Sequence, residues 1–123
     1  MPKALLIVDH GSRRDEANRM LNEVADVVRA RCPDLIVHVA HMELAEPTIP
    51  QAISACVSDG ATEVVVQPFM LSPGRHAARD IPALASEAAD SHPGLRVSVT
   101  GPLGAHPKIG EVILERAGLL DPT

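Results

Sequence analysis

Aromatic side chains are almost absent from this chain: there is no Trp and no Tyr, and Phe69 is the one Phe. A flat ligand must therefore be held by aliphatic walls and polar groups, not by ring stacking. Cysteine is nearly as scarce. Cys32 and Cys56 stand apart with no C-x-x-C spacing, which excludes a zinc framework and a dithiol redox motif. Both are expected to be reduced and at least partly buried. Positive charge is in deficit, and a formal net charge of −5 excludes the basic face of a nucleic-acid binder. Long apolar runs are missing too. The segment MPKALLIVDHGS carries one Lys and a short apolar run before Asp9, too little for a secretory h-region or a membrane span. A soluble, cytoplasmic protein with no membrane partner is expected.

What is present is Ala, Val, Leu and Ile spread over 123 residues. That length makes residues 1–123 a single domain, burying roughly two thirds of the surface its unfolded chain exposes. Residues 3–9 read as a buried strand, because a continuous Leu and β-branched run stops at the polar loop HGSRR. A helix from Asp15 to Arg31 follows, with Ala17, Met20, Leu21, Val24, Val27 and Val28 at helical spacing and Pro33 beyond its end. LIVHVAHM is the second strand. Pro47 or Pro50 opens a helix running through Ser58, which Gly60 stops. TEVVVQP is the third strand, and the helix from Ala77 to Ser91 carries Ile81, Leu84, Ala85 and Ala88 on one face. LRVSVTGP is the fourth strand, and a last helix starting near His106 or Pro107 includes ILERAG. Alternating strands and helices predict an α/β fold: a four-stranded, mainly parallel sheet flanked by helices on both faces.

Three residues, His10, Glu43 and His76, fall just past the ends of the first three strands. In a parallel sheet such positions gather along one edge. Two imidazoles and a carboxylate suit a divalent transition metal without choosing among cobalt, iron, nickel and zinc, and they also move protons near neutral pH. Glu43 ranks above Glu46, which stands next to Pro47 and can serve the start of the following helix. Pro73 and Gly74 predict a tight turn that fixes where Arg75 and His76 point. His38 and His41 are read as sharing a face of the second strand, His38 as a partly buried structural residue and His41 as a candidate auxiliary ligand or proton carrier. His92 and His106, each before a proline, read as capping or surface residues, while Gly101, Pro102 and Gly104 shape the cleft wall. Arg13, Arg14, Arg75 and Arg79 lie in or beside the two His-bearing loops; Arg79 reads as a solvated helix start.

The strings VDHGSRR, MELAEPTI, VVVQPFMLSPGRH and GPLGAHP, in this order and at these separations, resemble the short form of the CbiX/SirB sirohydrochlorin chelatases of the class II chelatase superfamily. The likeness covers nearly the whole chain. It implies an enzyme, a cobaltochelatase or ferrochelatase, that inserts Co²⁺ or Fe²⁺ into sirohydrochlorin without ATP, for cobalamin or sirohaem synthesis. The His-rich insertion of some nickel-inserting relatives is missing, which does not exclude Ni²⁺ but makes it no better supported than iron. By the same resemblance, His10 and His76 match the metal-binding, proton-abstracting histidines and Glu43 their acidic partner. No permanent cofactor is implied, because the metal is substrate. Two copies are expected to pair as a homodimer. Sirohydrochlorin bears many carboxylates, which gives Ser12, Arg13, Arg14 and Arg75 a substrate-binding task; the planar Arg fork binds a carboxylate bidentately. The alternatives are a non-catalytic metal or tetrapyrrole carrier and a histidine phosphatase. The phosphatase is disfavoured because Asp9 stands where that family needs a phosphate-binding Arg.

Overall fold

The computed structural model describes residues 2–72 and 74–120. Four strands, β1 (Lys3–Asp9), β2 (Ile36–His41), β3 (Glu63–Pro68) and β4 (Arg96–Val99), form one sheet in the order β2-β1-β3-β4. Every pairing is parallel. The helices are α1 (Asp15–Arg31), α2 (Ile49–Ser58), α3 (Arg75–Asp90) and α4 (Pro107–Arg116). The chain first steps from β1 outward to β2 and then reverses towards β3 and β4. Right-handed crossovers then place α1 on one face of the sheet and α2 with α3 on the other.

The core divides accordingly. Alternate residues Ala4, Leu6, Val8, Val64 and Val66 pack with Ile49, Ile53 and Cys56 of α2 and Ala77, Ile81, Ala85 and Ala88 of α3. Ile7, Val37 and Val39 face the other way, onto Leu21 and Ala25 of α1, with Leu5 and Phe69 at the margin. The period of two along each strand does this sorting. It also corrects one expectation: His38 and His41 are three residues apart, so they lie on opposite faces. His38 pairs with Asp59, the residue capping the end of α2, at 2.6 Å, whereas His41 lies on the α1 face beside Asp9.

Helix limits follow local chemistry. Acidic Asp15 and Glu16 open α1, and Arg29 and Arg31 close it, both complementing the helix dipole. Thr48 and Gln51 form a reciprocal capping box at the start of α2, with Pro50 in the first turn; Gln51 also donates to Glu46. α3 starts two residues earlier than the sequence suggests, so Arg75 and His76 sit in its first turn rather than in a loop, with Gly74 as N-cap. Pro73 of the expected turn lies outside the described residues. His106 caps α4, its Nδ1 accepting from the Lys108 amide at 3.1 Å, and His92 meets the Ser54 hydroxyl at 3.2 Å.

Two further expectations change. Helices do flank both faces, but α4 flanks neither: it buries none of its residues. The α1 face of β3 and β4, with Val65 and Gln67 half-buried and Arg96 and Ser98 exposed, has no helix packed over it among the described residues. Cys32, expected to be partly buried, is exposed at the C-cap of α1, because the helix ends one residue before it. Cys56 is fully buried, and burial together with the neighbouring Asp59 carboxylate pushes its thiol up to about 11. A disulfide-exchange reagent at neutral pH should therefore titrate one thiol per folded chain quickly, and Cys32→Ser should abolish that fast phase. Two equally fast thiols would contradict the burial of Cys56.

Candidate functional site

The reversal in strand order fixes where a site can form. The connections leaving β1 and β3 depart to opposite faces of the sheet, which opens a crevice outside the C-terminal ends of these two adjacent strands. His10 follows β1 directly, and His76 stands in the first turn of the helix after β3. The two imidazoles thus flank the switch point from either side, and both are exposed. Glu43 follows β2 on the same edge and is exposed as well. Among the described residues, no three His, Cys, Asp or Glu side chains are close enough together to hold a metal ion. The residues share an edge, but one chain does not assemble them into a closed coordination shell.

His10 and Glu43 are held together through the backbone. Beyond the last strand residues, the Met42 amide donates to the Asp9 carbonyl at 2.9 Å and the Glu43 amide to the His10 carbonyl at 3.1 Å. Gly11 makes this possible. It adopts φ +91°, and a Cβ there would sit 1.8 Å from the Glu43 carbonyl oxygen and 3.1 Å from Cβ of His41. No residue with a side chain fits that approach.

The rest of the loop is pinned to α1. The Ser12 amide donates to Oδ1 of Asn18 at 3.0 Å, and the Asn18 side-chain amide returns a bond to the Ser12 carbonyl at 2.7 Å. Oγ of Ser12 accepts from the Arg14 amide at 3.0 Å. This leaves the Ser12 hydroxyl proton to donate elsewhere. Asn18 escaped the sequence reading, since an Asn inside a helix carries no signal of a loop folded back upon it.

Arg13, Arg14 and Arg75 are exposed and make no ion pair among the described residues. Arg79 bonds its neighbour Asp80 at 3.2 Å and approaches Nδ1 of His76 at 3.3 Å, in line with a solvated helix position. The first turn of α3 contains Arg75 and His76 and no acid. Cations there oppose the helix dipole, at a cost of about 0.3–1 kcal/mol each when charged. A local rule broken in this way is a mismatch between helix stability and side-chain choice.

Beside this edge, between α1 and the loop after β2, lies a cleft of about 400 Å³ lined by Ser12, Arg13, Asn18, Arg19, His41 and Glu46, among others. His41 forms part of its floor and bonds Asp9 at 2.6 Å. Neither the pair nor its burial is visible in the sequence, because Asp9 and His41 become neighbours only once β1 and β2 are in register.

Replacing Gly11 is the sharpest test of this arrangement. Gly11→Ala should destabilise the chain by at least about 2 kcal/mol, since the left-handed conformation alone costs ~1–3 kcal/mol for a residue with a side chain. The measurement is denaturant unfolding. Gly60, also at positive φ but with open space around its Cβ position, provides the control: Gly60→Ala should cost distinctly less. Equal losses would remove the argument for a close approach.

Residues 4–118 match the CbiX family model. The chain is 48% identical over 112 residues to the chloroplastic sirohydrochlorin ferrochelatase of Arabidopsis thaliana, covering 91% of this chain and 50% of that protein. It is 33% identical to the sirohydrochlorin cobaltochelatase of Methanococcus maripaludis, covering 94% of this chain and 97% of the relative. Among solved structures, SirB from Bacillus subtilis with Fe³⁺ superposes with a TM-score of 0.85 at 31% identity, covering 99% of this chain and 49% of that one. The chain thus spans about half the length of the plant and Bacillus relatives and nearly all of the methanogen one. With the family model matching almost from end to end, the chain belongs to the CbiX family.

Proposed function

We propose that this protein inserts Co²⁺ or Fe²⁺ into sirohydrochlorin, with His10, Glu43 and His76 as the working groups. The observation that carries the reading is the placement of two exposed imidazoles on either side of the β1/β3 switch point, with a carboxylate tied to one of them through the backbone. The relatives named sirohydrochlorin ferrochelatase and cobaltochelatase supply the substrate class.

Insertion of a divalent ion releases two protons from the pyrrole N–H groups, so that a dianionic ring balances the metal charge. Neutral imidazoles accept such protons and also ligate borderline metals. Exposed groups spread along an edge suit an ion that is delivered and then surrendered to the macrocycle. A tight storage cage would oppose that release. Arg13, Arg14, Arg75 and the Ser12 hydroxyl are proposed to hold the carboxylate arms of the macrocycle. A histidine phosphatase fits poorly, because Asp9 places a carboxylate beside His10 and that carboxylate is already bonded to His41.

Anaerobic incubation with sirohydrochlorin and Co²⁺ or Fe²⁺, followed by absorbance, should show many equivalents metallated per chain. His10→Ala and His76→Ala should each lower turnover at least ~100-fold, as loss of an acid–base group does. Arg13→Ala and Arg75→Ala should raise KM more than they lower kcat. Product limited to one equivalent would instead identify a metal or tetrapyrrole carrier.

The proposal extends to a homodimer. Val112 and Ile113 of α4 are 50% and 62% exposed, Met20 and Val27 of α1 are exposed as well, and the α1 face of β3 and β4 has no described helix over it. Full burial of each such side chain is worth about 1.5–3 kcal/mol, and a second copy offers matching apolar surface. The two free thiols fit a reducing compartment, the ground for proposing a cytoplasmic location. Light scattering at micromolar concentration should give twice the 13.0 kDa chain mass, and Ile113→Asp should return it to the single value. A monomeric parent chain would sink the pairing.

A further inference from the structure

His41 is the one polar or charged residue that the fold buries among the described residues, at 2% exposure. Its Nδ1 lies 2.6 Å from Oδ1 of Asp9, directly across the β1–β2 ladder. A carboxylate oxygen at that distance accepts, so Nδ1 donates to it. Nε2 has no hydrogen-bond partner among the described residues, yet no buried side-chain nitrogen or oxygen there lacks one. Nε2 therefore keeps some exposure, and His41 lines the cleft together with Ser12, Arg13 and Asn18. The His41 backbone is engaged as well, its amide donating to the Pro47 carbonyl at 2.8 Å. The ring is thus held by packing on one side and by Asp9 on the other.

The position of this pair gives it a task beyond cohesion. Asp9 immediately precedes His10, and His41 stands two residues before Glu43. Between them run the backbone bonds Met42 to Asp9 and Glu43 to His10, together with the close approach of Gly11. These ladder bonds lie past the last paired strand residues, where strand ends ordinarily fray. Among the described residues, one side-chain bond crosses the two strands at this level. We infer that the Asp9–His41 pair is a positioning device: it clamps the ends of β1 and β2 so that His10 and Glu43 meet the metal and the macrocycle in one fixed geometry. It also holds the Asp9 carboxylate on the α1 face, out of competition with Glu43 for the incoming cation. The inference rests on the chelatase reading and adds a supporting layer behind the working groups, of the kind that costs about 10–100-fold in activity when lost.

Three single variants separate positioning from bulk stability. His41→Asn retains an N–H near the Nδ1 position, His41→Leu fills the space without a donor, and Asp9→Ala removes the acceptor. His41→Leu and Asp9→Ala should each lower kcat for metal insertion about 10–100-fold with KM for sirohydrochlorin changed less than about twofold. His41→Asn should recover at least a third of the parent kcat. Because the residues act as a unit, the double variant should be no slower than the slower single one. Equal losses in His41→Asn and His41→Leu, a loss expressed in KM, or single effects that multiply would each overturn the inference. A second readout needs no turnover. Amide hydrogen exchange at Met42 and Glu43 should accelerate at least about tenfold in His41→Leu and Asp9→Ala, while Val64 and Val66 keep their parent rates. Unchanged exchange at Met42 and Glu43 defeats the positioning role even if the parent chain proves inactive, whereas an inactive parent with accelerated exchange defeats the chelatase reading alone. Should His41→Leu fail to fold, Asp9→Ala, at the less buried partner, carries both measurements.

Discussion

Parallel strands can be joined only by crossovers, and right-handed crossovers tie the direction of each step across the sheet to the face its helix must cover. In this chain one reversal, after β2, decides nearly everything at the working edge. It sends α1 to one face and α2 and α3 to the other, and it parts the connections that leave β1 and β3. A crevice follows from topology alone, before any side chain is chosen. The residues first past β1 and at the head of α3 then border it by necessity, and in this chain they are both histidines.

A crevice of this origin has no regular structure to hold its walls. The loop after β1 solves the problem with backbone more than side chain. Gly11, lacking a Cβ, lets the chain press against the Glu43 carbonyl, and the ladder bonds of Met42 and Glu43 extend β1–β2 pairing past the strand limits. Asn18 then ties Ser12 to α1. Burying the His41 ring would be costly if its N–H lacked an acceptor, about 1–3 kcal/mol for an unsatisfied group. Asp9 removes that cost, and so a polar pair sits where an apolar one would pack as well. Choosing a directional bond over an adaptable apolar contact exchanges some stability for defined orientation.

The sequence made the skeleton legible because its signals are local. Leu and β-branched runs bounded by Gly, Pro and polar loops mark all four strands, and the acidic start and basic end of α1 mark its limits to the residue. His10 and Glu43 lie just past β1 and β2 as the same logic expects, whereas β3 ends at Pro68 and His76 stands eight residues on, in the first turn of α3. What stayed hidden depends on pairing or on burial. The register that joins Asp9 to His41 is a property of two segments 32 residues apart. The shared face assigned to His38 and His41 failed by simple parity, because three residues along a strand is an odd step. Pro73 and Gly74 predict a turn that carries Arg75 and His76, and the helix begins at Arg75 nonetheless.

The last helix shows why a single chain leaves the edge open. An amphipathic helix is stable in water chiefly when its apolar side is covered, since propensity alone leaves ten residues marginal. α4 has a complete N-cap at His106 and Pro107 in its first turn, so its start is well specified, yet no residue of it is buried. Meanwhile the α1 face of β3 and β4 is a sheet surface with half-buried Val65 and, among the described residues, no helix over it. A helix without a sheet and a half-sheet without a helix, in one chain, are complementary deficits. Neither is relieved internally, because α4 leaves β4 without packing back against it. Under the proposed function the same incompleteness marks the His10, Glu43 and His76 edge, where one chain would offer ligands along one wall only. On the proposed homodimer, a second copy of the same surface would supply both the second wall and the cover for α4.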